Sequence, residues 1–177
     1  MSEQKRFLDY IIYPGSTSTV FRFDTEYSTC HSFNDKPPTK WEEVYKVYYY
    51  YQIVEMDMET GEIKKVLFDS HCDECSVLDE IAWICKYLSE GKKQITFLTC
   101  EDDPSKNKTI RLLNKEIKPC GMGVFWTIRQ PHKKFQFELF DWWDKGYRFW
   151  IEKDKIGEFG KFLEDCCEYM LAHGVPI

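Results

Sequence analysis

The sequence predicts an α+β fold in which antiparallel sheets are each followed by one packed amphipathic helix. Three observations lead there. Phe, Trp and Tyr make up 17% of the 177 residues, and aromatic side chains favour strands and bury large areas. Most of the chain alternates in short runs separated by Gly, Pro and Asp turns, the pattern of half-buried strands. Two segments, about 76–90 and 155–172, change to helical spacing instead.

The elements follow in order. "FLDYIIY" and "STVFRFD" read as two strands around the turn "PGST". "SFNDKPPTK" is a loop, because Pro37 and Pro38 cannot donate to a ladder. The spacing of Thr39 and Glu42 is that of a capping box, so one helical turn is expected after it. "YKVYYYYQIVEMD" and "IKKVLFD" form a hairpin whose turn carries Gly61. In "SVLDEIAWICKYLSEG", Val77, Leu78, Ile81, Ile84, Cys85 and Leu88 share one helix face, with Ser76 as N-cap and Gly91 as stop.

The second half repeats this order. "QITFLTC", "KTIRLLNKEI" and "GVFWTIRQ" are expected strands, and "KKFQFELFDWW" and "GYRFWIEKD" a hairpin around "DKG". The closing helix carries Ile156, Phe159, Leu163, Cys166, Cys167 and Met170 on one face. Superposing the helices sets Cys85 on Cys167, Tyr87 on Tyr169 and Leu88 on Met170. That match fits either an internal duplication or the ease with which any two amphipathic helices align. The expected division is an N-terminal half at 1–93 and a C-terminal half at 94–177, joined in one compact domain.

Composition narrows the function classes. A hydrophobic share of 43% with 31% charged residues is that of a globular chain, not a disordered one. A net charge of −6 argues against broad attraction to phosphate backbones. It leaves room for a local basic stripe, or for a negative surface that competes for a basic protein groove. The first apolar run is broken by Asp9 and Pro14, too short for a signal-peptide core or a membrane span. The expectation is therefore a soluble, cytoplasmic protein with no membrane partner, whose eight cysteines are free thiols.

Alternation along the last hairpin marks a surface. Phe135, Phe137 and Leu139, with Tyr147, Phe149 and Ile151, make the better core set. The opposite set mixes aromatics with charge: Phe140, Trp142, Arg148, Trp150 and Glu152, with Trp143 and Asp144 at the turn. Large amphipathic rings beside Arg suit protein hot spots and base stacking alike. Covered by a second layer, the same rings would be packing. The four tyrosines from Tyr48 to Tyr51 pose the same choice, since they place rings on both sides of their strand.

Chemistry is less well marked. Cys72 and Cys75 have ligand spacing, and Cys30 with His31 would complete a tetrahedral zinc set. The second knuckle is missing, so no cofactor is expected and zinc is the weaker alternative to buried or capping thiols. His132 falls in a turn and His173 at a helix C-terminus, neither with a partner at fixed spacing. No nucleophile elbow, zinc-protease helix, phosphate loop or dinucleotide fingerprint occurs. "PGSTST" suits a hairpin turn better than an anion cradle, because no helix follows it. The sequence supports no enzyme.

Two macromolecular readings remain. The first is a non-enzymatic protein that presents its aromatic sheet face, flanked by Asp141, Asp144, Glu152, Asp154 and Glu158, to a protein partner. Phage or mobile-element inhibitors of host machinery, anti-CRISPR proteins included, share this acidic, aromatic-rich composition. The second is a single-stranded nucleic-acid binder. It requires the basic residues from Lys106 to Lys134, notably Lys108, Arg111, Lys115, Lys118, Arg129 and Lys133, to share a face with Trp142 and Trp150.

From about residue 94 the chain resembles the four-strands-then-helix unit of the positive-cofactor-four and Pur-alpha class of single-strand nucleic-acid binders. "KKFQFELFDWWDKGYRFWIEKDKIGEFGKFLED" carries the likeness, an aromatic hairpin followed at once by an amphipathic helix. The resemblance implies that two such units pair within one chain. It further implies that the sheet holds nucleic acid through aromatic and basic side chains, at Phe140, Trp142, Arg148 and Trp150.

Overall fold

The structure is a computed structural model and describes residues 5–71, 73–74, 77–97, 103–119, 123–143 and 145–176. In the first half the strands are β1 (Phe7–Tyr13), β2 (Thr17–Asp24), β3 (Thr29–Ser32), β4 (Val44–Tyr49), β5 (Tyr51–Asp57), β6 (Ile63–Asp69) and β7 (Asp73–Glu74), followed by α1 (Leu78–Ser89). The second half supplies β8 (Gln94–Phe97), β9 (Lys108–Arg111), β10 (Lys115–Ile117), β11 (Phe125–Arg129), β12 (Lys134–Phe140) and β13 (Gly146–Glu152), followed by α2 (Ile156–Ala172). The fold is α+β.

Two four-stranded antiparallel sheets dominate, in the orders β1-β2-β5-β6 and β10-β11-β12-β13. Four strands and then a helix therefore occur in each half, with β3 and β4 inserted into the first. Those two strands join β7 in a small sheet of their own, and β8 and β9 form a separate ribbon. The helices match in burial as well as in sequence. Cys85 and Cys167 are buried, as are Leu88 and Met170, while Tyr87 and Tyr169 are half-buried.

One core joins both halves. Phe21 and Tyr51 of the first sheet stack with ring centroids 5.1 Å apart, and Trp126 of the second leans on both. Phe159 of α2 meets Phe21, Phe137 and Phe149 edge-on, so the C-terminal helix closes the same cluster. The helices pack on each other through small residues. A Cβ on Gly160 would lie 2.7 Å from Cys85 Cβ and 3.2 Å from the Ala82 carbonyl oxygen, so only glycine permits this crossing.

The structure departs from the sequence expectations at several boundaries. The tyrosine run is not one strand: the chain leaves the small sheet at Tyr49 and enters the large one at Tyr51. Tyr50 bridges the step, its N–H held by Ser28 Oγ and its carbonyl by the Asp24 N–H. "KTIRLLNKEI" is likewise divided, at a turn where Asn114 takes φ 60°. The turn after Pro38 is a 3-10 helix over Trp41–Glu43. There Thr39 bonds Glu43 rather than Glu42, because the helix starts one residue later than that spacing implies, with Lys40 in the N-cap position. α1 is capped by Val77, without a side-chain bond, and the expected cap Ser76 lies outside the described residues.

Candidate functional site: an open aromatic face

The strand register builds the outer face of the second sheet row by row. Phe125, Phe140 and Gly146 form one row across β11, β12 and β13. Glu116, Thr127, Glu138 and Arg148 form the next, starting from β10. Arg129, Gln136 and Trp150 come third, and Lys134 with Glu152 fourth. The intervening residues Trp126, Ile128, Phe135, Phe137, Leu139, Phe149 and Ile151 are all buried. Alternation alone thus separates core from surface.

Among the described residues no layer covers this face. Trp142 is 53% exposed, Trp143 64% and Trp150 39%, well beyond what inter-layer packing would leave. Phe125 and Phe140 stack with centroids 5.0 Å apart and planes 6° from parallel, and Trp142 meets Phe125 edge-on at 5.2 Å. Trp143 turns the other way, toward the His71 ring at 6.1 Å.

A single carboxylate sets this display. Asp141 is buried, and its Oδ1 accepts the N–H groups of Trp143 and Lys145, each at 2.9 Å. The backbone closes the same turn through the Asp141 N–H and the Lys145 carbonyl at 3.0 Å. Asp141 therefore organises the β12–β13 connection and holds both tryptophans at its tip. This corrects its expected place among the acidic groups offered to a partner. Asp144 lies outside the described residues.

The charges on the face are mostly paired. Arg148 donates from Nε and Nη2 to Glu138 Oε2, at 3.2 and 2.9 Å. Lys134 meets Glu152 at 3.3 Å, which places Glu152 at the far end of β13 from Trp142. Asp154 and Glu158 are exposed beyond that end. Of the basic residues, Arg129 shares a row with Trp150, and Lys134 lies in the next row. Lys108 and Arg111 belong to the β8–β9 ribbon, a different sheet, and Lys115 pairs with Ile128 on the opposite alternation. Among the described residues the face does not carry one continuous basic stripe.

Other predicted positions separate. The Cys30 thiol points into the core and donates to the Met170 carbonyl at 3.3 Å, while His31, the next residue on the strand, packs edge-on to Tyr48. Neighbours on a strand face opposite ways, so these two do not converge on one ion. Cys72 and Cys75 lie outside the described residues. Among the described residues no group of three or more His, Cys, Asp or Glu side chains is placed to hold a metal. His173 caps its own helix, its Nδ1 2.8 Å from the Tyr169 carbonyl oxygen. "PGST" is the β1–β2 turn, tied by Ser18 Oγ to the N–H and carbonyl of Gly15 at 3.1 Å each.

Two features escaped the sequence reading. Phe125 and Gly146 complete the aromatic row, and the alternation of "VFWTIR" against "KFQFELF" carries that signal. On the face of the first sheet opposite Phe21 and Tyr51, Ile11, Val20, Val54 and Val66 form an apolar row whose middle, Val20 and Val54, is buried in a small cluster with Met56. Its ends, Ile11 and Val66, are exposed.

Comparison with known proteins finds no matching family, no matching curated protein and no matching solved structure. Fold and face define an α+β protein built on two antiparallel sheets, one of which turns an open aromatic surface to solvent. Among the described residues no helix is long and apolar enough to cross a membrane.

Proposed function

We propose that this is a non-enzymatic binding protein whose second sheet docks, outer face first, on a protein partner. The observation that carries this is the exposure of Trp142 beside the stacked Phe125–Phe140 pair and of Trp150 two rows further along the same face. Exposed tryptophans beside arginine are the residue types that dominate binding energy at protein interfaces. The balanced ion pairs Glu138–Arg148 and Lys134–Glu152 favour such a partner over a polyanion, which needs a surplus of cations. An inhibitor that occupies a functional surface of its target fits this description.

Arg129, in the same row as Trp150 with Gln136 between them, supports a second reading, a single-stranded nucleic acid stacked on the same face. Affinity capture with the intact protein and with Trp142→Ala/Trp150→Ala, alongside anisotropy of labelled single-stranded DNA and RNA at low and rising salt, decides between the two. A protein retained by the native chain and lost by the variant, with no oligonucleotide binding, is the expected result. Salt-sensitive oligonucleotide binding that Trp150→Ala abolishes would replace the first reading by the second.

A further inference from the structure

Within the aromatic face one place lacks an occupant. The first row runs Phe125, Phe140, Gly146. Phe125 stacks on one side of Phe140. On the other side the row continues to Gly146, which has no side chain to stack. Glycine is required there: a Cβ would come within 2.8 Å of the Leu139 carbonyl oxygen. The result is a cleft of about 480 Å³ lined by Glu138, Leu139, Phe140, Gly146, Tyr147 and Arg148. That is ample for one large side chain.

The geometry points to this cleft as the receptor for an aromatic side chain of the protein partner, whose ring completes the Phe125–Phe140 stack. This inference rests on the protein-binding reading above and names the chemistry of the partner's anchor. Shape argues for a flat group, since the Phe140 ring leaves one face to stack on beside Gly146, which adds no side chain of its own. Charge argues for a neutral one. Among the described residues the charged groups lining the cleft are Glu138 and Arg148, which neutralise each other through two hydrogen bonds. A carboxylate or phosphate would have to displace Glu138 from Arg148, and a guanidinium would meet Arg148 directly. A neutral ring faces neither cost. Both hydrogen bonds of the pair end on Glu138 Oε2. The bond to Arg148 thus leaves Oε1 with acceptor capacity for a phenol O–H or an indole N–H. Tyrosine and tryptophan fit these terms best.

The test uses the intact protein and small probes, so it does not depend on knowing the partner. N-acetyltyrosinamide is titrated while amide and aromatic resonances are followed by NMR, with N-acetylleucinamide, N-acetylargininamide and adenosine in parallel. Saturable shifts at Gly146 and Phe140, about fivefold stronger in apparent affinity for the tyrosine probe than for the leucine probe, are expected. They should be lost in Phe140→Leu and kept in Phe33→Leu, whose exposed ring belongs to the first half of the chain. Equal response to the leucine probe, stronger response to the arginine probe or to adenosine, or persistence in Phe140→Leu overturns the inference. A captured protein that depends on Trp150 while these shifts are absent would leave the binding function standing and remove only the aromatic anchor. Shifts without any captured protein would do the reverse.

Discussion

The indole N–H of Trp126 donates to the phenol oxygen of Tyr51 across 3.2 Å, with both side chains buried. This one bond joins β11 of the second sheet to β5 of the first. On the same strand, Phe125 and Thr127 face outward, so the residue that fixes the sheet in place sits directly between two that build its exposed face.

Tyr51→Phe keeps the ring and removes the oxygen that accepts the Trp126 N–H. A buried hydrogen bond lost in this way costs about 1–3 kcal/mol. Urea unfolding should show a lower midpoint at unchanged slope. Trp150→Phe, on the open face of the same sheet, should stay within about 0.5 kcal/mol of the native protein. Equal effects from the two would mean that the sheets are not tied at Trp126.

Asp141→Ala leaves two backbone N–H groups at the β12–β13 turn without their carboxylate. The expected loss is again about 1–3 kcal/mol. Asp141→Asn, which retains a carbonyl acceptor, should lose less. Because the turn positions Trp142 and Trp143, Asp141→Ala should also weaken partner capture at temperatures where it remains folded. Unchanged stability would show that the turn is held by its backbone alone.

Alkaline pH should unfold the protein through its core. Burial pushes the Cys167 thiol up from 9.0 to about 12 and raises Cys85 and Cys166 as well. Burial likewise lifts the Tyr49 phenol well above its ordinary value, and its contact with the Cys167 sulfur at 3.7 Å adds to that. The folded state holds these protons more tightly than the unfolded chain does. Their contribution is therefore complete below about pH 9 and is lost as pH rises toward about 12. Thermal unfolding followed from pH 8 to pH 11 should show Tm falling steadily above pH 9, and iodoacetamide at pH 8 should react slowly with these thiols. A flat Tm across that range would contradict their burial.

Much of this was legible in the sequence where one strand has one wet face. Residues 134–140 and 146–152 alternate cleanly, and their core and outer sets emerge as read, because a sheet with water on one side imposes a period of two. The sheet change at Tyr50 was hidden for a physical reason. Tyr49 and Tyr51 are both buried, so the alternation runs unbroken through a residue where the hydrogen-bonding partners are exchanged. Asn114 divides two strands by adopting a left-handed conformation, which asparagine tolerates without the cue that glycine gives. Gly160 sits in mid-helix, where glycine ordinarily weakens a helix; only the neighbouring α1, with Ala82 and Cys85, shows what it is for. The ion pairs that neutralise the aromatic face depend on which residues lie opposite one another. That register is set by turns too variable to read from composition.

The central claim is that the outer face of the second sheet is the binding surface, and hydroxyl-radical footprinting tests it most directly. Oxidation of Trp142, Trp143 and Trp150 is measured in the free protein and in the complex recovered by capture. The account predicts rapid oxidation of all three in the free chain and strong protection in the complex, centred on Trp142 and Trp150. Unchanged oxidation of these tryptophans, with protection falling instead on Ile11, Val66 and the face of the first sheet that they share, would contradict it.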